Sequence, residues 1–182
     1  QLKDVLIVAN FNVTAQNVTV EQNTTFIIDV VDFNGNVSIS VDGDVLYNGT
    51  VKGIIGATKL LAGDKVATVV FYGDDNYDEL TLNNVRFTVS RVTPEISVVI
   101  DDVTYPAKTV ATITVGNKAN GTVNITVDGK KFKGTVTNGV GTIDLEGLSA
   151  GAKVASVEFF STDDYNNNVT ASAKFNINKN TS

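Results

Sequence analysis

One short segment, residues 73–78, gathers enough side-chain oxygens to suggest a cation site. Ca²⁺ takes roughly six to eight oxygen ligands, and three aspartates here would supply some of them. A similar segment, residues 161–166, keeps only two acids. The shared pattern is more typical of a turn in which Asp oxygens accept backbone N–H bonds while a Tyr ring packs on the core edge. We predict no bound metal and no cofactor. The candidate calcium ligands are Asp74, Asp75 and Asp78.

Lys65 and Lys153 begin two similar strand-like segments, in the same alternation as the apolar residues that follow them. That alternation places both amines on the inward face of a sheet. A buried amine beside Asn and an acidic residue can attack the amide, which forms an intramolecular isopeptide bond and releases one ammonia. The alternative is that each side chain lies at the end of a sandwich and extends its ammonium to water. Intact mass distinguishes the two, because each bond removes one ammonia.

Nine Asn-x-Ser/Thr sequons occur in the 182 residues. The chain has 20 Asn and 31 Ser plus Thr, so random placement would give only about three. The excess favours an exported glycoprotein, although Asn- and Thr-rich strands also generate sequons by themselves. The alternation places Asn124 on the solvent face of its strand. The candidate glycosylation sites are Asn12, Asn17, Asn23, Asn36, Asn48, Asn120, Asn124, Asn168 and Asn180.

The residue types exclude most catalytic chemistry. The chain contains no Cys, His, Met or Trp, so it lacks thiol and imidazole nucleophiles, disulfides and the usual zinc ligands. The carboxylate pair Asp101-Asp102 aligns with Gln16-Asn17 elsewhere in the chain and fits a solvated turn better than a catalytic pair. A net charge of −6 argues against nucleic acid and anionic membranes as partners. We predict a protein that is not an enzyme, with no catalytic residues, no nucleic-acid partner and no membrane contact.

Similar segments recur because the chain contains one sequence twice. GNVSISVDGD (35–44) recurs as GTVNITVDGK (121–130), AGDKVATVVFYGDDNYD (62–78) as AGAKVASVEFFSTDDYN (150–166), and NVRFTV (84–89) as SAKFNI (172–177). The separations of 86 and 88 residues indicate two domains in tandem. We place the first at 1–91, with residues 1–6 open to assignment as the tail of a preceding repeat, and the second at 92–182.

Apolar and polar residues alternate in both copies with the period of two that marks strands with one buried face. Two such runs end in Asp-Gly, at Asp42-Gly43 and Asp128-Gly129, and this dipeptide favours tight hairpin turns. The pattern predicts an all-β protein with two tandem immunoglobulin-like β-sandwich domains of about seven antiparallel strands each. The predicted strands are residues 7–15, 24–33, 36–42, 44–51, 53–61, 65–72 and 82–90, then 95–101, 109–116, 121–128, 130–137, 139–146, 153–160 and 169–177.

The inward residues of these strands form the predicted cores, which packing alone must hold together. A short linker, residues 90–95, joins the copies, and Pro94 restricts its backbone. In the first copy the core residues are Val13, Ile28, Val30, Val37, Ile39, Val41, Ala67, Val69, Phe71, Phe87 and Val89. In the second they are Val98, Ile113, Val115, Val123, Ile125, Val127, Ala155, Val157, Phe159, Phe175 and Ile177.

Two segments, residues 62–78 and 138–166, carry a resemblance to a known family. Their NGVG, AG-x and DDNY or DDY motifs resemble the repeated Ig-like domains of bacterial and archaeal surface proteins, most of all methanogen adhesin-like proteins. The resemblance covers nearly the whole chain twice, although Lys65 and Lys153 stand where the family usually has Tyr. It implies an extracellular β-sandwich, often in long arrays, that projects a tip from the cell surface or contributes to attachment.

We therefore expect a non-enzymatic fragment of a cell-surface adhesin, an extended stalk or spacer that supports cell attachment and is anchored through other parts of a longer chain. Its partners would be neighbouring Ig-like repeats. The alternative is a module that binds a carbohydrate or protein of another cell directly, for which Tyr72 and Phe160 occupy matching outward positions. A third reading, an accessory domain of a hydrolase, requires a catalytic neighbour. The other rings expected to be partly exposed are Tyr47, Tyr77, Tyr105 and Tyr165.

Overall fold

The computed structural model describes residues 11–181. Every regular element in this part is a β-strand, and the chain divides into two compact units, unit 1 (residues 1–90) and unit 2 (residues 91–182). The division falls one residue before the predicted boundary. Within residues 11–181, no helix has the length and hydropathy needed to cross a membrane. The proposed tail at residues 1–6 and the start of the predicted strand 7–15 lie outside the described residues.

Unit 1 is a sandwich of two sheets. Its strands are β1 (Asn12–Ala15), β2 (Val18–Thr19), β3 (Thr25–Asp29), β4 (Asn36–Val41), β5 (Asp44–Thr50), β6 (Ile54–Gly56), β7 (Gly63–Phe71) and β8 (Leu80–Ser90). One sheet has the order β1-β3-β6, and the other has the order β2-β8-β7-β4-β5. The predicted strand 53–61 is thus only three residues long, at the edge of the smaller sheet.

Unit 2 repeats this arrangement. Its strands are β9 (Ile96–Ile100), β10 (Val103–Thr104), β11 (Thr109–Val115), β12 (Gly121–Val127), β13 (Lys130–Val136), β14 (Val140–Leu145), β15 (Gly151–Ser161) and β16 (Val169–Asn178). The sheet orders are β14-β11-β9 and β10-β16-β15-β12-β13. The same strand order in both units is that of an immunoglobulin-like sandwich, so the predicted fold class is confirmed for both copies.

Each Asp-Gly dipeptide forms the predicted hairpin. Asp42 and Gly43 have φ of 53° and 85°, and Asp128 and Gly129 have φ of 50° and 77°. Two consecutive positive φ values define the tight turn whose twist matches paired strands, and Asp and Gly tolerate it best. The hairpins join β4 to β5 and β12 to β13 in antiparallel register.

The cores lie between the two sheets of each unit and contain most of the predicted residues. Three predicted core residues are only half-buried: Val13 and Val98 lie on edge strands of the smaller sheets, and Val30 lies just beyond the end of β3. Several large core residues were missed by the sequence prediction. They are Phe26, Phe33 and Ile55 in unit 1, and Val136, Ile143, Leu145 and Leu148 in unit 2.

The prediction of seven strands per copy was one short. The additional strands, β2 and β10, contain two residues each, too few to show a period of two in the sequence. Both pair in parallel with the last strand of their unit, β2 with β8 and β10 with β16. In each unit, the first segment of the chain therefore passes from the smaller sheet to the edge of the larger one.

Candidate functional site

The loop between β7 and β8 in unit 1 contains the calcium candidates. The Asp74 carboxylate accepts the backbone N–H groups of Asn76 and Tyr77 at 2.7 and 2.8 Å. The backbone N–H of Asp74 donates to the carbonyl of Tyr77 at 2.9 Å. These bonds close an Asx turn in which Oδ1 of Asp74 is a structural acceptor. Asp75 and Asp78 are exposed, and among residues 11–181 no group of three or more His, Cys, Asp or Glu is placed to hold a metal ion.

The corresponding loop of unit 2 is organised around Asp163. Its carboxylate accepts the backbone N–H groups of Asn120, Tyr165 and Asn166 at 2.9, 2.9 and 2.7 Å, and the side-chain amide of Asn166 at 3.2 Å. Burial raises the pKa of Asp163, but these hydrogen bonds together outweigh it and hold the pKa well below the usual range of an aspartate. The carboxylate therefore fastens this loop to the loop that precedes β12.

The same loop holds the segment through which the chain enters unit 2. Val92 donates its N–H to the carbonyl of Tyr165 at 2.9 Å and accepts the N–H of Asn167 at 2.8 Å. Asn166, only 1% exposed, lies opposite Val92 in the parallel bridge that these bonds form. Arg91 adds an ion pair to Asp164 at 3.4 Å. The polar residues of this loop thus bond the first residues of unit 2 instead of being available to a partner.

Each inward lysine pairs with the Asp of the Asp-Gly hairpin. Lys153 is 7% exposed, and its Nζ donates to Oδ2 of Asp128 at 2.5 Å and to Oγ of Ser149 at 2.9 Å. Lys65 makes the matching contact to Asp42 at 3.3 Å. The partner is an aspartate in both units, so condensation of either pair would release water rather than the ammonia expected from Asn. A cross-link at either pair stays a prediction.

The sequons occupy several environments. The Oδ1 atoms of Asn17, Asn120 and Asn168 accept the backbone N–H groups of Thr88, Asn138 and Ser161 at 2.8, 3.0 and 2.8 Å. These three side chains therefore have a structural role besides any modification. Asn124 is half-buried rather than fully open to solvent. The exposed sequon residues are Asn12, Asn17, Asn23, Asn36, Asn48, Asn168 and Asn180, and their use as glycan acceptors stays a prediction.

Tyr72 and Phe160 are 39% and 37% exposed, and both follow the last inward phenylalanine of their strand, on the outward face of the larger sheet. A cleft lies elsewhere in unit 2, beside Tyr105, which is 47% exposed. The sequence predicted exposure for Tyr105 but gave no sign of the cleft, because its two walls are more than 40 residues apart in the chain.

Asn17 and Asp102, which align in the two copies, have a structural role that the sequence did not predict. Asp102 is exposed, as a solvated turn requires, but its side chain also bonds the last strand of its unit. The structure shows that Oδ1 of Asn17 accepts the N–H of Thr88 at 2.8 Å, and that Oδ1 of Asp102 accepts the N–H of Asn176 at 2.7 Å. Each bond holds the segment before the short parallel strand against the last strand of its unit. The shared bond explains why only Asn or Asp occupies this position in the two copies.

No protein-family model and no curated protein matches the chain. Solved structures with similar folds include the amphioxus IgVJ-C2 molecule, with 14% identity and a TM-score of 0.45 over 90% of this chain and 99% of that one. The Yersinia pseudotuberculosis adhesin InvE has 13% identity and a TM-score of 0.44 over 92% of this chain and 59% of that one. The fibronectin(III)-like modules of Clostridium thermocellum CbhA have 15% identity and a TM-score of 0.36, covering 92% and 95%. With TM-scores below 0.5, the assignment to two tandem Ig-like domains depends on the strand order of each unit.

Proposed function

We propose that the chain is a non-enzymatic pair of Ig-like repeats from a cell-surface adhesin and serves as a stalk or spacer that carries load between an anchor and a distal part of a longer protein. The observation that carries the proposal is the parallel pairing of the short second strand with the last strand in both units. The surface location and the adhesin class are supported by the sequence resemblance described above. The methanogen origin and the glycosylation that go with it stay predictions.

In unit 1 this pairing places Val18 opposite Val89 and Thr19 opposite Ser90. The ladder is extended on one side by the Asn17 side chain, which accepts from Thr88 at 2.8 Å. On the other side the N–H of Val20 donates to the carbonyl of Ser90 at 2.9 Å.

Unit 2 builds the same ladder from different residues. Val103 lies opposite Ile177 and Thr104 opposite Asn178. Asp102 accepts from Asn176 at 2.7 Å on one side, and the N–H of Tyr105 donates to the carbonyl of Asn178 at 2.8 Å on the other. Asp102 of unit 2 thus makes the bond that Asn17 makes in unit 1.

Parallel pairing determines how such a ladder responds to tension. The chain enters the unit at one end of the ladder and leaves it at the opposite end, because the two strands run in the same direction. Tension on the termini therefore acts along the strands, across the hydrogen bonds, and loads all of them together. An antiparallel hairpin pulled from its two open ends loses its bonds one at a time. A domain with this ladder resists tension better than its equilibrium stability alone would predict, which suits a stalk.

Single-molecule pulling of the whole chain tests the proposal. Since the chain has no Cys, two introduced cysteines give unique attachment points for handles. With handles at the termini we expect two unfolding events, each releasing about 25 to 30 nm of chain, since an extended residue spans roughly 3.5 Å. Asn17→Ala should lower the unfolding force of one event, and Asp102→Ala that of the other. The unaltered unit is the control in each case.

A second pulling geometry distinguishes resistance to force from equilibrium stability. Handles placed on the two strands of the β12–β13 hairpin, away from its turn, pull the same unit by peeling and should unfold it at lower force. The proposal fails if terminal pulling needs no more force than hairpin pulling, or if both variants leave both forces unchanged. A parent chain with a catalytic domain and only these two repeats would also contradict it.

A second candidate function is direct contact with a carbohydrate or protein of a partner cell. It is favoured by the matching exposed rings of Tyr72 and Phe160 on the larger sheets. In a whole-cell and glycan binding screen, binding that is lost in Tyr72→Ala or Phe160→Ala would replace the spacer assignment. Binding that both variants retain would leave the spacer assignment in place.

A further inference from the structure

Unit 2 contains an open cleft of about 420 Å³ at the end of the sandwich where β16 finishes. One wall is the turn that follows β10, and the other is the connection between β14 and β15. Its volume falls within the range of small-molecule sites, which is roughly 300 to 1,000 Å³. The lining residues are Tyr105, Pro106, Gly147, Leu148, Ser149 and Ala150.

The first wall is held by backbone hydrogen bonds. Tyr105 donates its N–H to the carbonyl of Asn178 at 2.8 Å, and Ala107 donates to the carbonyl of Thr104 at 3.0 Å. The main chain is therefore fixed on both sides of Pro106. Tyr105 is nevertheless 47% exposed, so an aromatic side chain on a fixed backbone lines the cleft.

The second wall is held by two lysines. Lys130 donates to the carbonyl of Glu146 at 2.9 Å, just before the cleft residues. Lys153 donates to Oγ of Ser149 at 2.9 Å and to Asp128 at 2.5 Å. Because Oγ of Ser149 accepts from Lys153, its hydroxyl proton remains available for another partner. Ser149 is an exposed residue that lines the cleft, so its hydroxyl is a donor held in position by Lys153.

We propose that this cleft binds one or two rings of a neutral saccharide. A sugar ring has an apolar C–H face and a rim of hydroxyl groups, and the cleft offers the matching pair of surfaces. The Tyr105 ring and Pro106 present apolar area, with Leu148 and Ala150 behind, while Ser149 donates to a hydroxyl. None of the six lining residues is charged. Two ammonium groups lie next to the cleft and both are hydrogen-bonded, that of Lys130 beside Gly147 to the carbonyl of Glu146 and that of Lys153 to Asp128. An anionic ligand would therefore have to displace the Glu146 carbonyl or Asp128 to reach an ammonium, whereas a neutral sugar leaves both bonds in place.

Unit 1 provides an internal comparison for the cleft. The pairing of β2 with β8 places Val20 where unit 2 has Tyr105, and the matched lysines place Leu61 where unit 2 has Ser149. Val20 is buried and Leu61 carries no donor. Both features that suit a saccharide are thus found in unit 2 and not in unit 1. The site does not depend on the stalk role, and either can fail without the other.

An amide chemical-shift titration of the ¹⁵N-labelled 182-residue chain tests the site. The probes are the methyl glycosides of glucose, galactose, mannose and N-acetylglucosamine. We expect at least one to give saturable shifts at Tyr105 and residues 147–150, with a dissociation constant in the millimolar range that is usual for a single ring. Tyr105→Ala should weaken binding roughly tenfold, and Tyr105→Phe should retain it.

Two further variants complete the test. Ser149→Leu introduces the residue of unit 1 and should abolish the shifts by filling the cleft and removing the donor. Tyr165→Ala removes a ring of similar exposure at the other end of unit 2 and should leave binding unchanged. The proposal is overturned if none of the four glycosides gives saturable shifts, or if Tyr105→Ala, with an otherwise native amide spectrum, binds with the same dissociation constant as the native chain.

Discussion

The loops that join the last two long strands differ between the two units in a way that their sequences conceal. In unit 1 Phe71 lies opposite Leu80, so the connection encloses eight residues. In unit 2 Phe159 lies opposite Val169, and the connection encloses nine. The matching segments before and after the loop are all 88 residues apart in the two copies, so the sequence alignment does not show this difference. Equal spacing in the sequence therefore does not mean equal placement in the fold.

The unit 1 loop is one residue shorter than that of unit 2, and the strand that follows it, β8, contains one extra residue in a β-bulge. Ala67 lies opposite Val85 while Val69 lies opposite Leu82, so β8 has one extra residue at this point. Both Asn83 and Asn84 are exposed there, which breaks the alternation of the strand. A bulge of this kind restores the inward direction of the following residues, so the core register beyond it is unchanged. In unit 2 the corresponding pairing is regular.

The loop difference changes which residue packs inward. Asp74 and Asp163 both accept the N–H groups two and three residues later, so Tyr77 corresponds to Asn166 rather than to Tyr165. Tyr77 packs its ring against Phe33, with centroids 6.0 Å apart. Asn166 is buried instead and bonds to the Asp163 carboxylate, while the ring of Tyr165 is exposed. The Tyr ring that the sequence predicts on the core edge is present in unit 1 as Tyr77, and the position that matches it in unit 2 is Asn166.

This comparison shows which features of the repeat are retained. The hydrogen-bonded Asp of the loop, the Asp-Gly hairpin, the Lys–Asp pair and the Asx bond to the last strand are present in both units. The surface charge is not retained, since residues 1–90 contain five basic and eleven acidic residues and residues 91–182 contain nine of each. Each retained feature closes or fixes the sandwich. The units therefore differ most in the charge of their surfaces and least in the hydrogen bonds and ion pairs that stabilise the sandwich.

Alanine at two matched glycines should give the largest difference between the units. A Cβ on Gly121 would meet the backbone carbonyl of Phe160 and the ring of Phe159. A Cβ on Gly35 would meet only the ring of Phe33, at 2.6 Å. Backbone in a paired strand cannot move aside as a ring can, so Gly121→Ala should destabilise unit 2 by about 3 kcal/mol and Gly35→Ala should cost unit 1 about 1 kcal/mol.

Urea denaturation monitored by amide hydrogen exchange reports the free energy of unfolding of each unit separately, so it assigns each loss of stability to its unit. The unaltered unit of each variant is the control for global effects. A larger loss of stability in unit 1 than in unit 2 would show that the two strands do not approach their neighbours as described.

The elements that could be predicted from the sequence are those with a long alternation or a specific turn residue. The run from Val123 to Val127 shows both an inward face and, at its end, the Asp-Gly turn, and its register in β12 follows directly. Burial of Val37, Ile39 and Val41 followed from the same period of two. The inward direction of Lys153 also followed from its parity.

Features that depend on pairing between distant segments could not be predicted. The short strand β10 has no period of its own and exists because Val103 pairs with Ile177, 74 residues later. The bulge at Asn83 and Asn84 is visible only once β7 is placed beside β8. The cleft beside Tyr105 requires the connection between β14 and β15 to lie next to the turn after β10. Local sequence contains no information on such neighbours.

Substitution of the two loop aspartates should give the next largest difference. Asp163 accepts three backbone N–H groups, one of them from a different loop, whereas Asp74 accepts two from its own turn. Asp163→Asn keeps the shape but turns an amide N–H toward donors, so it should cost unit 2 about 2 kcal/mol near neutral pH. Asp74→Asn, on an exposed loop, should cost unit 1 about 0.5 kcal/mol.

The pH dependence of this effect has a definite sign. The folded pKa of Asp163 lies well below its unfolded value, because several N–H groups bond the charged form. The unfolded state therefore binds more protons as the pH falls below about 4, and the contribution of Asp163, complete above that pH, is progressively lost in acid. The difference between the native chain and Asp163→Asn in thermal denaturation should narrow from pH 7 towards pH 2. A difference that widens in acid would contradict the assignment.

Removal of the inward lysines should give the smallest difference, because their partners can return to water. The Lys153 side chain is 6% exposed and that of Lys65 is 13%, but Asp128 and Asp42 are 52% and 66% exposed. We expect double-mutant cycles with Lys→Met and Asp→Asn to give coupling energies of about 1 kcal/mol in unit 2 and about 0.3 kcal/mol in unit 1. Methionine keeps the buried stem, so the cycle reports the ion pair rather than packing. Because the pair in unit 2 is shorter and its ammonium more buried, about 1 M NaCl should remove the unit 1 coupling and leave most of the other. Equal coupling energies with equal salt dependence would mean that burial of the ammonium does not distinguish the two pairs.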